Sequence, residues 1–141
     1  MDRKLALVAV LAVLTACAAP AAARDLSAVY PSEGAFAAAL APLREAAERN
    51  PRDAEARYRL GLAYFAVWRQ YEVGLVAYGR DYHRVAEAEF RAALRASPGH
   101  LGSLLALYTL LRLRGDWSGA EALLAEVSRL TLPRGEVPAV R

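Results

Sequence analysis

The residues of this 141-residue chain that are best suited to chemistry are few: one cysteine and two histidines. His83 lies among turn-forming residues close to Asp81 and Glu87, and their proximity is the basis of an enzymatic hypothesis that requires a deep pocket around His83. His100 follows a Pro-Gly pair. No spacing of His, Cys and carboxylates is typical of a metal site. We therefore predict no enzyme, no catalytic residue, no metal and no cofactor, and we expect both histidines to be polar turn residues.

The cysteine, Cys17, belongs to an N-terminal segment of the kind that directs export. A short basic start precedes an apolar run over residues 5–14, which has the length of a signal-peptide core. That run is too short to span a bilayer, which takes about 20 apolar residues in a helix. The sequence LTAC over residues 14–17 resembles the bacterial lipobox, whose cysteine receives the lipid. The resemblance implies a signal peptide over 1–16, lipidation at Cys17 and a lipidated tether over 17–31.

The residue after the cysteine gives an expected location. Ala18 is not the aspartate that holds such proteins at the inner membrane, so resemblance to Gram-negative lipoproteins implies an outer-membrane anchor facing the periplasm. Two or more acyl chains give stable attachment. Two alternatives remain open. Cleavage at the small residues 21–23 would give a soluble periplasmic protein without Cys17, and an uncleaved anchor that includes residues 18–23 is disfavoured by Pro20.

The charge balance gives no reason to expect nucleic-acid binding. Eighteen basic and 15 acidic residues leave a formal net charge of +3, and the two signs are interspersed along the chain. Residues 44–53, for example, alternate in charge as a solvated helix surface does. The apolar content is high enough to bury a helical core of about 100 residues. We expect one small helical domain.

Capping residues and prolines predict where helices begin and end. Ser32 and Asp53 are suited to be N-caps. Proline or glycine follows the predicted helices at Pro51, Gly79 and Pro98. Pro42 lies inside the first helical run, so we expect a kink or a break near it. The predicted fold is all-α, with helices at about 33–49, 54–78, 82–97, 101–114 and 117–131 in a domain over 32–132, and a flexible tail over 133–141.

Small and large apolar residues recur at repeat spacing. Pro51 and Pro98 each close a unit, and this frame makes Ala39, Ala86 and Ala120 equivalent small residues. The pattern resembles the tetratricopeptide repeat (TPR), a helical hairpin of 34 residues. The resemblance implies antiparallel hairpins stacked as a short solenoid, with these alanines at tight helix crossings. The alternative is an unrelated Ala/Leu-rich helical bundle. The signature residues are Leu60, Gly61, Tyr64, Ala86, Phe90, Ala93, Pro98, Leu107, Gly115, Ala120 and Leu124, whereas Arg57 and Leu104 depart from the family's tryptophan position.

The middle unit carries an insertion. Aligning Ala86 with the small position requires about 13 extra residues, which is roughly 20 Å of helix, so we predict an extended first helix that ends near Tyr78. The insertion brings Trp68, Tyr71 and Tyr78, and such aromatic residues suit a partner interface. The equally weighted alternative is that the tether or the first helix folds over them. Gly74 could instead break the segment into two helices.

The resemblance also implies where a partner would bind, because the first helices of TPR units line a concave groove. The family's usual groove positions correspond to residues of the second and fourth predicted helices, among them Leu105. Arg59 and Arg112 could bind carboxylates bidentately, or be solvated. The family's two-carboxylate clamp needs lysine and asparagine where Tyr58 and Leu62 stand, so that clamp is absent. The candidate partner-binding residues are Tyr58, Arg59, Leu62, Phe65, Trp68, Tyr71, Tyr78, Thr109 and Arg112.

These features together predict an exported, lipid-anchored protein–protein interaction adaptor at the cell envelope, with an unidentified protein partner and a membrane contact through its N-terminal lipid. Similar small repeat lipoproteins serve envelope or pilus assembly. The alternative is a structural helical protein of the envelope that self-associates into a homo-oligomer and has no peptide-binding groove.

Overall fold

The computed structural model describes residues 28–131, with side chains described as far as Arg129, and this part of the chain contains helices and no strands. The predicted signal peptide over 1–16, most of the predicted tether and the predicted tail over 133–141 lie outside the described residues. Consecutive helices pack on one another and α2 also contacts α4, so the predicted all-α stack of helical hairpins is confirmed. The helices are α1 (Glu33–Arg49), α2 (Ala54–Glu72), α3 (Tyr82–Ala96), α4 (Leu101–Leu113) and α5 (Trp117–Thr131).

The first two helices begin where their capping residues predict. The Ser32 hydroxyl accepts a hydrogen bond from the Ala35 N–H at 3.2 Å, and Asp53 Oδ1 accepts one from the Ala56 N–H at 3.1 Å. Each side chain satisfies a backbone donor that has no partner inside the helix. Both predicted N-caps are therefore confirmed.

The second helix is shorter than predicted. The prediction of one helix over 54–78 is wrong, because α2 ends at Glu72 and a loop over 73–81 follows. Gly74 adopts φ +75°, and the Leu75 N–H donates to the Gln70 carbonyl at 2.8 Å. This left-handed closure satisfies the last carbonyls of the helix and turns the chain away from the helix axis. Apolar residues keep their helical spacing past Gly74, but the helix itself ends at Glu72.

The first helix is not broken at Pro42. The helix α1 runs from Glu33 to Arg49 with Pro42 inside it, so of the predicted kink or break the break does not occur. A proline in a helix leaves the carbonyl four residues earlier without a donor. Here that residue is Ala38, and both Ala38 and Pro42 are exposed, so the missing hydrogen bond lies on the solvated side.

Two apolar clusters form the core, and the half-buried Tyr64 packs against both. The cluster between α1 and α2 contains Phe36, Leu40, Ala47, Ala56, Leu60, Ala63 and Val67. The cluster of α3, α4 and α5 contains Ala86, Phe90, Leu104, Ala106, Leu107, Leu110, Leu111, Ala120 and Leu123. Within the described part of the chain, none of the helices combines the length and the apolar character needed to cross a membrane.

The predicted small positions are buried in α3 and α5 but not in α1. Ala86 and Ala120 lie in the core, whereas Ala39 is exposed. The assignment of Ala39 to a tight helix crossing is therefore wrong. The helix α1 instead buries Phe36 and Leu40, which remove more apolar area from water than alanines do.

The last large signature position is also exposed. Leu124 follows Ala120 by four residues, as Phe90 follows Ala86, yet Phe90 is fully buried and Leu124 is not. Among the described helices, α5 contacts α4 alone, so no helix covers the outer side of α5. Leu124 therefore remains exposed although it occupies a signature position. Of the other signature residues, Leu60, Gly61, Ala93 and Leu107 are buried, and Pro98 and Gly115 lie in exposed turns.

Contacts between helix ends show at which end of the stack each loop or turn lies. The Tyr82 hydroxyl donates to Glu33 Oε1 at 2.6 Å, which joins the start of α1 to the start of α3. Arg114 at the end of α4 donates to Glu87 Oε2 on α3 at 2.8 Å. The N-terminal end of the stack therefore contains residues 28–32, the loop 73–81 and the turn 114–116, and the opposite end contains residues 50–53 and 97–100.

Candidate partner-binding surface

The helices α2 and α4 meet near the opposite end of the stack. The rings of Tyr58 and His100 have centroids 5.2 Å apart, and a Cβ on Gly102 would lie 2.9 Å from the Tyr58 ring. The Nδ1 atom of His100 accepts from the Ser103 N–H at 3.2 Å, so the neutral imidazole donates from Nε2 to Glu55 Oε2 at 3.1 Å. His100 is thus the N-cap of α4 and links it to α2. A polar turn residue was predicted, but this cap was not.

A row of exposed residues follows one side of α4. Leu101 and Leu105 are each 56% exposed, and Thr109 and Arg112 are also exposed. Their spacing of three or four residues places all four on one side of the helix. The opposite side of α4 belongs to the core cluster. We call Leu101, Leu105, Thr109 and Arg112 the exposed row of α4.

Arg112 ends this row as a cation held between aromatic rings. Its guanidinium carbon lies 5.6 Å from the centre of the Tyr108 ring and 5.1 Å from the centre of the Trp117 ring. The described residues provide no carboxylate in an ion pair with Arg112. One guanidinium nitrogen donates to the Tyr108 hydroxyl at 3.5 Å, and the other donors face no described carboxylate. The two rings hold the guanidinium in place, since each cation–π contact stabilises an exposed cation by roughly 0.5–1 kcal/mol.

Arg59, the other predicted carboxylate receptor, already has a partner. Its Nε atom donates to Glu55 Oε1 at 2.8 Å on the same helix. The hydrogen bond from Arg59 lowers the pKa of Glu55, and the one from His100 adds to the effect. The side chains of Leu62 and Phe65 are half-buried and pack against the core of α3, α4 and α5. These two residues therefore contribute more to the fold than to an open groove.

The aromatic residues of the insertion are mostly internal. Trp68 is buried, with its ring 5.9 Å from Phe65 and 5.5 Å from His83. Tyr71 is half-buried at an open cleft of about 610 Å³. A projecting partner-binding helix that carries these side chains is therefore not formed. The cleft is lined by Trp68, Tyr71, Glu72, Arg80, Asp81, His83, Arg84, Leu113 and Arg114.

The residues before α1 cover the rest of the aromatic insertion. The Tyr78 hydroxyl donates to the Tyr30 carbonyl at 2.9 Å, and Gln70 Nε2 donates to the Ala28 carbonyl at 3.1 Å. The Phe36 ring lies 6.3 Å from Tyr78. Burial raises the pKa of Tyr78. For Tyr78 the structure therefore agrees with the alternative in which the predicted tether or the first helix folds over the aromatic residues, whereas Trp68 and Tyr71 have other neighbours.

The histidine grouping considered from the sequence is split between separate contacts. His83 Nδ1 donates to the Arg80 carbonyl at 3.1 Å, whereas Glu87 is held by Arg91 at 2.9 Å and by Arg114 at 2.8 Å. His83 lines an open cleft and not a deep pocket. Among residues 28–131, no group of three or more His, Cys, Asp or Glu side chains is placed to hold a metal ion.

Two exposed residues of this surface were not predicted from the sequence. The partner-binding candidates did not include Leu101 or Trp117, although both are more than half exposed. Helical periodicity places Leu101 four residues before Leu105, and this signal was sufficient to find it. Trp117 begins α5 immediately after a turn, so its contact with Arg112 depends on how that turn is closed.

No protein-family model, curated protein or solved structure matches this chain.

Proposed function

We propose that this protein is an exported, lipid-anchored adaptor of the TPR type, which binds a protein partner through the exposed row of α4. The observation that carries the proposal is the pair of leucines, Leu101 and Leu105, displayed on a helix that has its core side fully packed. Apolar side chains grouped on one surface are typical of interaction sites. A lone exposed leucine would need no such explanation.

The chemistry of the row suggests what the partner presents. Leu105 offers apolar area, and Arg112 offers a positioned guanidinium that the described residues do not neutralise. A segment that combines apolar side chains with a carboxylate complements both, because guanidinium and carboxylate form paired hydrogen bonds. We therefore propose a helical or extended protein segment with acidic and apolar residues as the partner.

The proposed location rests on the N-terminal sequence, which lies outside the described residues. Lipidation of Cys17 would hold the domain at the periplasmic face of the outer membrane, where such an adaptor would serve envelope or pilus assembly. Intact-mass measurement of the chain purified from bacterial membranes tests this directly. Acylation should be present in the wild type and absent from Cys17→Ser. A soluble chain that begins at residue 22, 23 or 24 would refute the lipid anchor.

The binding proposal is tested by affinity purification of the lipoprotein with quantitative mass spectrometry. Leu105→Ser and Arg112→Ser should each remove a specific partner while lowering the melting temperature by only a few degrees, since both residues are exposed and Arg112 loses only its ring contacts. The matched control is Leu124→Ser on α5, which replaces a leucine exposed to a similar degree. A partner lost equally from all three variants, or from none, would contradict binding at this row.

A second candidate function is self-association into a structural homo-oligomer. The observation in its favour is the outer side of α5, where Leu124 is exposed and no described helix packs. Sedimentation at increasing concentration separates the two candidates. An oligomer that dissociates in Leu124→Ser but not in Leu105→Ser supports self-association, and a monomer at high micromolar concentration excludes it.

A further inference from the structure

More than half of the exposed large apolar side chains among the described residues lie at or beside one end of the stack. Val73 and Leu75, in the loop after α2, are each 63% exposed, and Val29, Leu113 and Trp117 are also exposed. All five belong to the N-terminal end of the stack or border it. The open cleft joins the loop to the turn after α4, because Arg80 and Leu113 both line it. Three separate segments therefore bring apolar side chains to one end.

This is also the end from which the chain leaves toward Cys17. The Ala28 carbonyl is bound by Gln70 at the end of α2, and Tyr30 is bound by Tyr78 in the loop. Eleven residue steps separate Ala28 from Cys17. Even when fully extended, they span at most about 40 Å. The N-terminal end of the stack is thus the part of the described domain that lies nearest to Cys17 along the chain.

We propose that the N-terminal end of the stack rests on the lipid bilayer that carries the Cys17 anchor, with Val29, Val73 and Leu75 inserted at the headgroup boundary. The inference depends on the proposed lipidation. Tethering raises the local concentration of this end at the membrane, so that weak insertion of a few side chains is sufficient.

A tryptophan and an arginine at this end also suit a lipid surface. Trp117 is of the residue type that is enriched where membrane meets water, since its ring combines apolar area with a polar N–H. Arg80 is exposed beside the cleft, and arginine can place its aliphatic stem against apolar surface while its charge reaches lipid phosphate. A protein partner is less favoured, because the apolar side chains sit on three separate segments and form no continuous groove on one helix.

The proposal has a consequence for the adaptor function. The helix α2 has 19 residues, which is about 28 Å of helix between the two ends of the stack. If the N-terminal end of the stack rests on the bilayer, the opposite end, with residues 50–53 and 97–100, points away from it. Leu101 and Leu105, toward the opposite end of α4, then remain in water and accessible to a partner, whereas Arg112 lies in the last turn of α4, close to the bilayer.

The test measures the depth of two matched positions in the intact lipoprotein. Arg80→Cys and Arg52→Cys each replace an exposed arginine in a turn, the first at the N-terminal end and the second at the opposite end. Each variant is labelled with bimane, since the sulfur of a lipidated Cys17 does not react, and is reconstituted into vesicles of phosphatidylethanolamine and phosphatidylglycerol. Nitroxide-labelled lipid should quench the Arg80→Cys reporter and leave the Arg52→Cys reporter bright.

A second comparison tests the apolar contact itself. Adding Val73→Ser and Leu75→Ser to the Arg80→Cys chain should lower the ratio of lipid-contacting to free ends by about tenfold for each side chain. Equal quenching of the two reporters in acylated protein would overturn the proposal, as would quenching that the serine substitutions leave unchanged. A reporter that becomes blue-shifted without nitroxide quenching would identify a protein cover or a second copy instead. An intact mass that shows no acylation would refute the lipid anchor at Cys17, and this inference would fail with it.

Discussion

The contact between Gly61 on α2 and Phe90 on α3 provides the sharpest test of the packing. A Cβ added to Gly61 would lie 2.6 Å from Phe90 Cε1 and 2.8 Å from Phe90 Cδ1. Ordinary van der Waals contact is 3.4–4 Å, so the two helices must separate or the ring must move by nearly 1 Å. Phe90 is fully buried, which leaves the ring little free space. We predict that Gly61→Ala destabilises the protein.

Two opposing terms set the expected magnitude. Alanine favours a helix over glycine by about 1 kcal/mol. Overpacking of a well-filled core costs about 1–3 kcal/mol, and the rigid surroundings of Phe90 favour the upper part of this range. The expected net loss for Gly61→Ala is about 2 kcal/mol, which corresponds to a fall in melting temperature of roughly 8–16 °C for a domain of this size.

The matched control is Gly34→Ala in α1. The nearest heavy atom to a Cβ on Gly34 is the Ser32 hydroxyl at 3.9 Å, so this alanine fits without a clash. Gly34→Ala should therefore be neutral or stabilise the protein by up to about 1 kcal/mol. Urea unfolding followed by circular dichroism measures both variants, and equal slopes would show that the unfolded state is unchanged.

Equal stabilities of Gly61→Ala and Gly34→Ala would refute the close approach of α2 to α3. A double-mutant cycle with Phe90→Leu then locates the clash. Because the smaller side chain removes the ring atoms, Phe90→Leu should cost at least about 1 kcal/mol less in the Gly61→Ala chain than in the wild type. Additive costs would show that the strain in Gly61→Ala arises elsewhere.

Three further substitutions test contacts outside the core. Burial, together with the hydrogen bond to Glu33, raises the pKa of Tyr82 above its ordinary value of 10.0, so its contribution to stability should be lost as pH rises above 10, and Tyr82→Phe should flatten this loss in alkaline urea titrations. The pKa of Glu55 is lowered from 4.5, chiefly by the hydrogen bond from Arg59. The cost of Glu55→Gln in unfolding free energy should therefore be present at pH 7 and disappear as pH falls below 4.5. Asp116 accepts a hydrogen bond at the start of α5, so Asp116→Ala should lower stability by about 1 kcal/mol in urea unfolding, whereas Asp116→Asn should retain most of it.

Much of the fold could be predicted because its signals are local. Ser32 and Asp53 cap helices through hydrogen bonds to residues three positions away, and the chain needs no distant contact to form them. The same holds for the all-α class and for the start of each helix. Ala86, which the repeat spacing predicted to lie at a tight helix crossing, is fully buried, and its carbonyl lies 3.3 Å from where a Cβ on Gly61 of α2 would stand.

The candidate site was less predictable, because exposure depends on residues that are distant in sequence. Trp68 and Tyr78 have the composition of an interface, yet contacts with His83 and Tyr30 place them inside or at the edge of the domain. Arg59 and Arg112 are equivalent in the sequence argument. The structure separates them, since Arg59 is paired with a carboxylate and Arg112 lies between aromatic rings.

The sequence by itself determined where the helices begin, because a capping residue acts within about four residues of its own position. Tertiary structure decided which side of each helix is buried. The helix α1 could present either Ala39 or Leu40 to α2, and α2 could continue past Gly74 or close there. These choices depend on the total apolar area that packing removes from water, which no single segment fixes alone.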